Sequence, residues 1–459
     1  MPLPRPGTLV PALLRPGSRR PPEPLPLPEP VRALLEQRGE AVETALGHGM
    51  GRLYRDLMGD TWTRTLRPGR DGVFVVTGDI PAMWLRDSSA QMRPWLALAA
   101  HSTEVAGMLR GVVRMQWHLL GHDRRANAFN RGPVGGTHHL LDDHVWRLGA
   151  DPWIWERKYE LDSLALPIQL AHQLWRATGQ PDHLGSEVRT GLDRVVELWR
   201  LEQDHESSDY RFVRLDAVLR RQASESLPRR GRGAPVARTG MTWQGFRPSD
   251  DACTFGYNVP GNLTAAHSLH LAAELAREVW ADEPLALRCE RLAEEIRAGV
   301  AAHAHHPEGG WYYEVDGLGG SLAADDANLP SLLGLPLTAG VDRQDRDYLA
   351  TRARVLSGAN PWWHRGRAAS GISSPHTPGA RVWPIALAVQ GLTATSREEA
   401  VGLARLLAAT TADTGMMHES FHVDDPADFT RAWFSWANMM FCELVDQLAH
   451  GDEEVRWAR

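Results

Sequence analysis

A chain of 459 residues, 43% of them hydrophobic, can bury a sizeable core in one large domain or in two or three ordinary ones. A formal net charge of −7 gives no electrostatic case for nucleic acid, and no apolar run approaches the roughly 18 residues of a membrane span. Cys253, Cys289 and Cys442 form no close pair, which supports neither a disulfide framework nor a zinc knuckle, and Lys158 is the only lysine, so no P-loop exists and Schiff-base chemistry would have to use that residue.

Residues 1–34 carry proline throughout their apolar part, which argues against a secretion signal; they read as a poorly ordered arm or a surface-wrapping segment, with a cytoplasmic location as the default. A single domain is expected from residue 35 to 459. DGVFVVTGD (71–79) alternates as a short hairpin would, and TGDIPAMWLRDSS (77–89) then has neither a helical nor a strand period. Val105, Leu109, Val112, Met115 and Leu119 form a helical stripe, followed by the polar stretch GGTHHLLDDH (135–144). YELDS (159–163) leads into the stripe Leu164, Ile168, Ala171 and Trp175, with Asp162 or Ser163 available as cap and Pro167 tolerable in the first turn. Val188, Leu192, Val195 and Trp199 make another stripe, and the basic, apolar-poor residues 220–238 read as a mobile surface excursion. In TWQGFRPSDDACTFGYNVPGN (242–262), Asn262 is expected to cap a helix starting near Thr264. Leu285, Cys289, Leu292 and Ile296 are again helical, GGWYYEVDG (309–317) suggests a second hairpin, and Trp433, Ala437, Met440, Leu444 and Leu448 end the periodic pattern.

The stretches between helices share a composition: carboxylates, Arg, His and Asn beside aromatics, Gly and Pro, as also in AADDANLP (323–330), GISSPHT (371–377) and GMMHESFHVDD (415–425). Such loops suit a site that hydrogen-bonds many hydroxyls while keeping water off ring faces, and 18 tryptophans suit sugar rings as well as large cores. Glycoside hydrolysis needs two carboxyl groups, about 6.5–9.5 Å apart for inversion and about 5–5.5 Å apart for retention. The acids of SDD (249–251) and Glu419 of HES could supply them, as one pair among many that 57 acidic residues allow. His138 or His139 with Asp142, Asp143 and His144 would suit a metal only if they converged; helical spacing does not put all of them on one face, so substrate contact or a structural role is the reading preferred.

TGDIPAMWLRDSSAQMRPWL, YELDSL, GFRPSDDACTFGYNVPGN, DDANLPSLL, GISSPHT, WPIALAVQGLTA and MHESFHVDDPADFTRAWFSWANMMF resemble, in order from about residue 35 to 448, glycoside hydrolase family 125. The resemblance implies an all-α (α/α)6 barrel with long loops forming a pocket at one end. It further implies an inverting exo-α-1,6-mannosidase that uses no metal or cofactor and acts on an α-mannoside oligosaccharide, with no nucleic-acid or membrane partner. Its general acid would be Asp250, with Asp251 as the alternative, and its general base Glu419. Arg86 and Asp87 would grip hydroxyls of the terminal sugar, Trp84 would wall the pocket, and Asp79 would bind substrate or hold Arg86. His139, Asp162, Arg247 and His376 complete the expected substrate-binding set. A non-catalytic mannoside-binding protein, or another (α/α)6 glycosidase or phosphorylase, are the competing readings.

Overall fold

Helices buried on one stripe alternate along the chain with helices buried almost all round. That is the pattern of a double ring, in which an inner helix has protein on every side and an outer one only on its inward face. The computed structural model describes residues 24–451 other than 48, 134–138 and 220–222. The main helices are α1 (Glu29–Leu46), α2 (Met50–Asp60), α3 (Leu85–Met92), α4 (Thr103–His122), α5 (Asp162–Thr178), α6 (Ser186–Glu202), α7 (Val259–Glu278), α8 (Glu283–His303), α9 (Leu335–Thr338), α10 (Arg346–Val355), α11 (Pro384–Leu392), α12 (Arg397–Ala409) and α13 (Ser435–His450). Every residue of α3 is buried, as is α5 from Asp162 to Leu174, whereas α6 and α8 bury single stripes.

The inner ring is α3, α5, α7, α9, α11 and α13. α3 packs on α5, α5 on α7, α7 on α9 and α11 on α13, and α13 closes the ring on α3. Helices α4, α6, α8, α10 and α12 return the chain outside it, and α1 and α2 back α13. This is the (α/α)6 barrel that the resemblance implied. The stripes read from sequence face inward: Val105, Leu109 and Val112 in α4, Val188, Leu192 and Val195 in α6, and Leu285, Leu292 and Ile296 in α8 are all buried.

The ring is sealed where the chain's ends meet. Arg38 of α1 donates two parallel hydrogen bonds to Asp446 of α13, Nε to Oδ1 at 2.8 Å and Nη2 to Oδ2 at 2.6 Å. At the pocket end, Gly78 bridges to Phe434, and Ser435 N donates to Thr77 O at 3.1 Å. Gly78 has φ 136°, and a Cβ there would stand 2.5 Å from the Trp433 carbonyl oxygen, so this approach admits only glycine.

Several local expectations are corrected. The stretches 71–79 and 309–317 each supply one strand of a short hairpin whose other strand lies outside the stretch: Val73–Val75 pairs with Leu66–Pro68, and Glu314–Val315 pairs with Ser321–Leu322 and, on its other side, with Tyr257–Asn258. The cap of α7 is Asn258, whose Oδ1 accepts from Gly261 N at 2.8 Å. Asn262 lies inside that helix and holds Thr242 N and O. Asp162 opens α5 without capping it, since its carboxylate turns to Arg86. The arm expected to end at residue 34 ends earlier. α1 begins at Glu29, Leu25 N donates to Thr63 O at 2.9 Å, and Pro26 O accepts from Trp62 Nε1 at 3.2 Å. Residues 1–23 of that arm lie outside the described residues. Among the described residues no helix is long and apolar enough to cross a membrane.

Candidate active site

Six loops lead into the six inner helices, and each places side chains on one cavity of about 530 Å3. Asp79 and Trp84 come from the loop before α3, Lys158 from that before α5, Asp250 from that before α7, and Asn328 from that before α9. His376 and Trp383 precede α11, and Glu419 and Arg431 precede α13. Size and lining suit a small polar ligand with flat apolar faces.

The loop before α7 decides which acid of SDD faces the cavity. Arg247 N donates to Asp251 O at 2.7 Å and Asp250 N to Arg247 O at 2.9 Å, a tight turn that puts Asp250 in the left-handed region at φ 67°. Asp tolerates that conformation better than most residues. Asp250 therefore enters the cavity, while the buried Asp251 turns away to His376, its Oδ1 3.4 Å from the imidazole Nδ1. Arg247 does not line the cavity either. It anchors the turn from behind, with Nε 2.5 Å from Glu314 Oε1 and Nη2 donating to Thr254 Oγ1 at 3.1 Å.

Across the ring, the hairpin of Ser420–His422 and Asp425–Thr430 holds Glu419, whose backbone N donates to Thr430 O at 3.3 Å. Its Oε1 accepts from Arg431 Nη1 at 3.4 Å, and the side chain is nearly buried yet reaches the cavity. Arg431, also left-handed at φ 38°, binds Asp79 Oδ1 through Nε at 2.9 Å. Asp79 thus holds Arg431 and not Arg86. Two non-glycine residues in sparsely allowed backbone regions, the candidate acid Asp250 itself and Arg431 beside Glu419, mark where local strain is stored.

Arg86 is the charge hub of the floor. Its Nη1 donates to Glu160 Oε2 at 2.7 Å and to Asp162 Oδ2 at 3.2 Å, its Nη2 to Asp250 Oδ1 at 3.2 Å, and its Nε lies 3.2 Å from Asp87 Oδ1. The guanidinium lines the cavity and at the same time ties these four carboxylates together. Asp87 stands at the cavity wall, with its buried Oδ1 turned to Arg86 Nε. Burial pushes the Asp87 carboxyl up to about 6, against the pull of Arg86 and with a further push from Asp250. Asp162 lies behind the wall, fully buried and off the cavity.

A second network borders the cavity. Arg214 binds Asp142 through Nε at 2.8 Å, Glu156 through Nη2 at 2.7 Å and Glu225 through Nη1 at 2.6 Å, and Lys158 Nζ donates to Glu225 Oε2 at 3.0 Å. Burial works to raise Glu156, but Lys158 and Arg214 hold it well below the usual carboxylate range. His139 lines the cavity 3.9 Å from Glu156 Oε1. Asp142 is thus committed to Arg214, Asp143 accepts from Val213 N at 3.0 Å, and His144 stacks near Phe212, so these three do not meet as a metal set; His138 lies outside the described residues. Residues 223–238, read by composition as a surface excursion, bring Glu225 to the cavity and bury Leu227, while 220–222 lie outside the described residues.

Among the site residues that sequence reasoning missed are Glu156, Lys158, Arg214, Glu225, Trp383 and Arg431 at the cavity, and Glu160 and Asn127 behind it. WIWERKYE (153–160) held the available signal: the chain's one lysine between two glutamates and three aromatics, an unusual company for a solvated loop.

His376 lines the cavity beside Asp251. Burial alone would lower its imidazole, but the hydrogen bond and charge of Asp251, with Asp250 and Glu419 beyond, hold it up at about 9. A cation favoured only in the folded chain stabilises it fully below the ordinary value of 6.5, and that contribution fades as pH rises through about 9. The expected result is a denaturation midpoint that falls in alkaline buffer for the unaltered chain and less steeply for His376→Gln. Equal slopes would show that the pair is not formed.

Residues 48–446 match the family model of the metal-independent alpha-mannosidases (GH125). The chain is 39% identical to a metal-independent alpha-mannosidase of Streptococcus pneumoniae solved in a non-productive substrate complex with α-1,6-mannobiose; the match covers 92% of this chain and 99% of that one, with a TM-score of 0.87. It is 35% identical over 437 residues to the meiotically up-regulated gene 157 protein of Schizosaccharomyces pombe, covering 90% of this chain and 84% of that protein. A bacterial glucoamylase complexed with acarbose shares the fold alone, at 12% identity and a TM-score of 0.54 over 86% of this chain and 55% of that one.

Proposed function

Because the chain belongs to glycoside hydrolase family 125, the metal-independent α-mannosidases, we propose that it releases terminal mannose from α-1,6-linked mannosides by a single inverting displacement. The observation that carries this reading is the placing of Asp250 and Glu419. They stand on the loops into the third and sixth inner helices, opposite positions in a ring of six, and both line one cavity. The α-1,6-mannobiose bound by the Streptococcus pneumoniae relative supports the linkage.

In this reading Asp250 donates its proton to the glycosidic oxygen as the bond to C1 breaks. Glu419, held beside Arg431, removes a proton from a water that attacks C1 from the opposite face. Asp87 accepts from a hydroxyl of the terminal mannose, and Trp84 and Trp383 cover the ring's apolar faces. His139, His376 and Asp79 border the same sugar. Arg86 acts on substrate chiefly through the carboxylates it orients. The network of Lys158, Arg214 and Glu225 borders the space left for the leaving group.

The test is the anomer first formed. Proton NMR during the first minutes of α-1,6-mannobiose cleavage is expected to show β-mannose, with the α form growing in only by mutarotation. Early α-mannose would mean retention, and α-1,2- or α-1,3-mannobiose cleaved as well as the α-1,6 isomer would overturn the linkage.

A further inference from the structure

Directly behind Asp250 lies a carboxyl for which the displacement has no use. Glu160 is buried and off the cavity; its oxygens accept from Arg86 Nη1 at 2.7 Å, Ser163 Oγ at 3.0 Å and Asn127 Nδ2 at 3.2 Å. Arg86 Nη2 and the same Asn127 amide also reach Asp250 Oδ1, each at 3.2 Å, so the Glu160 and Asp250 carboxyls share two donors and stand side by side. Two carboxyls brought together by shared donors bond to each other directly when one of them carries a proton. The other titratable or charged groups facing Glu160 are Arg86, Asp162, Glu156 through Asn127, and the Cys253 thiol. One guanidinium thus stands among Glu160, Asp162, Asp250 and Asp87, and acids so close and so dry do not all ionise.

We propose that Glu160 is a positioning residue that keeps the general acid supplied: the pair Glu160–Asp250 holds a single proton, which rests on Glu160 and crosses the hydrogen bond to Asp250 as the glycosidic bond is protonated. This rests on the reading of Asp250 as the acid. Burial raises the Glu160 carboxyl well above its ordinary value, while Asp250, which burial would also raise, is held low by Arg86. The step balances. The proton leaves Glu160, passes through Asp250 to the leaving oxygen, and the C1–oxygen electron pair goes to that oxygen. Water supplies the new bond to C1, its proton rests on Glu419, and exchange with solvent returns one proton to the pair.

The experiment is the pH profile of kcat/KM for α-1,6-mannobiose with the full chain, Glu160→Gln and Glu160→Asp. Without an anionic or proton-sharing neighbour, Asp250 loses its proton at lower pH. The alkaline fall of the Gln variant is therefore expected to move toward acid, with about a tenfold loss at neutral pH per pKa unit of displacement and recovery in acid buffer. The Asp variant, its carboxyl one methylene further away, is expected to fall between the two, and it decides the matter if the Gln variant does not fold. A loss equal at every pH, or an unmoved alkaline fall, would overturn the proposal. If Asp250→Asn leaves mannobiose cleavage intact, it is the acid assignment that fails instead.

Discussion

Replacing Glu419 by Gln is expected to lower kcat for α-1,6-mannobiose by about 10²–10⁴-fold, the usual contribution of a positioned general base, while leaving substrate binding largely in place. The amide keeps the shape and the contact with Arg431 but cannot take a proton from water. Glu419 Oε1 meets Arg431 Nη1 at 3.4 Å, and Arg431 also holds Asp79, so the loop remains anchored without the charge. Calorimetry with mannobiose should show binding by the inactive variant. A Gln variant that keeps most of its turnover would remove Glu419 from the mechanism.

The second large effect is expected at Asp250. Asp250→Asn should lose about 10²–10⁴-fold in kcat/KM on mannobiose but far less on an aryl mannoside whose leaving group needs no proton. Asp251→Asn is the contrast. Asp251 is turned from the cavity toward His376, so its loss should disturb the alkaline stability of that pair more than bond cleavage. The melting temperature of Asp250→Asn should not fall, because the change removes one negative charge from a cluster that already has more carboxylates than cations. If Asp251→Asn shows the leaving-group dependence and Asp250→Asn does not, the two assignments exchange.

The barrel was legible because its evidence is periodic. Leu109 and Val112, or Leu192 and Val195, lie on a helical stripe whatever surrounds them, and burial along one face of α4 and α6 follows. Asp79, Trp84, Asp87, Asp250, Glu419 and His376 were legible as a set because their loops combine acids with aromatics and glycine, and all of them reach the cavity. Asp162 and Arg247 share those loops but face the other way. Sequence gives a loop's composition but not which side of a turn each residue takes, and only the bond from Arg247 N to Asp251 O decides that. Glu156 and Arg214 escaped for another reason. Their partners are far along the chain, as with Arg214 and Asp142, and taken singly each looks like an ordinary solvated charge.

The seam formed by Arg38 with Asp446 and by Asp79 with Arg431 joins positions 408 and 352 residues apart. On a ribosome, the first four inner helices emerge and can dock while Glu419 has yet to be made. A nascent chain at that stage carries Asp250 and the charge hub Arg86 but, of the aromatic walls, only Trp84 and Trp155; Trp383, Phe434 and Trp436 are still to come, and nothing yet stands opposite Asp250. The cavity acquires its sixth wall only when the last hairpin folds back beside the first loop.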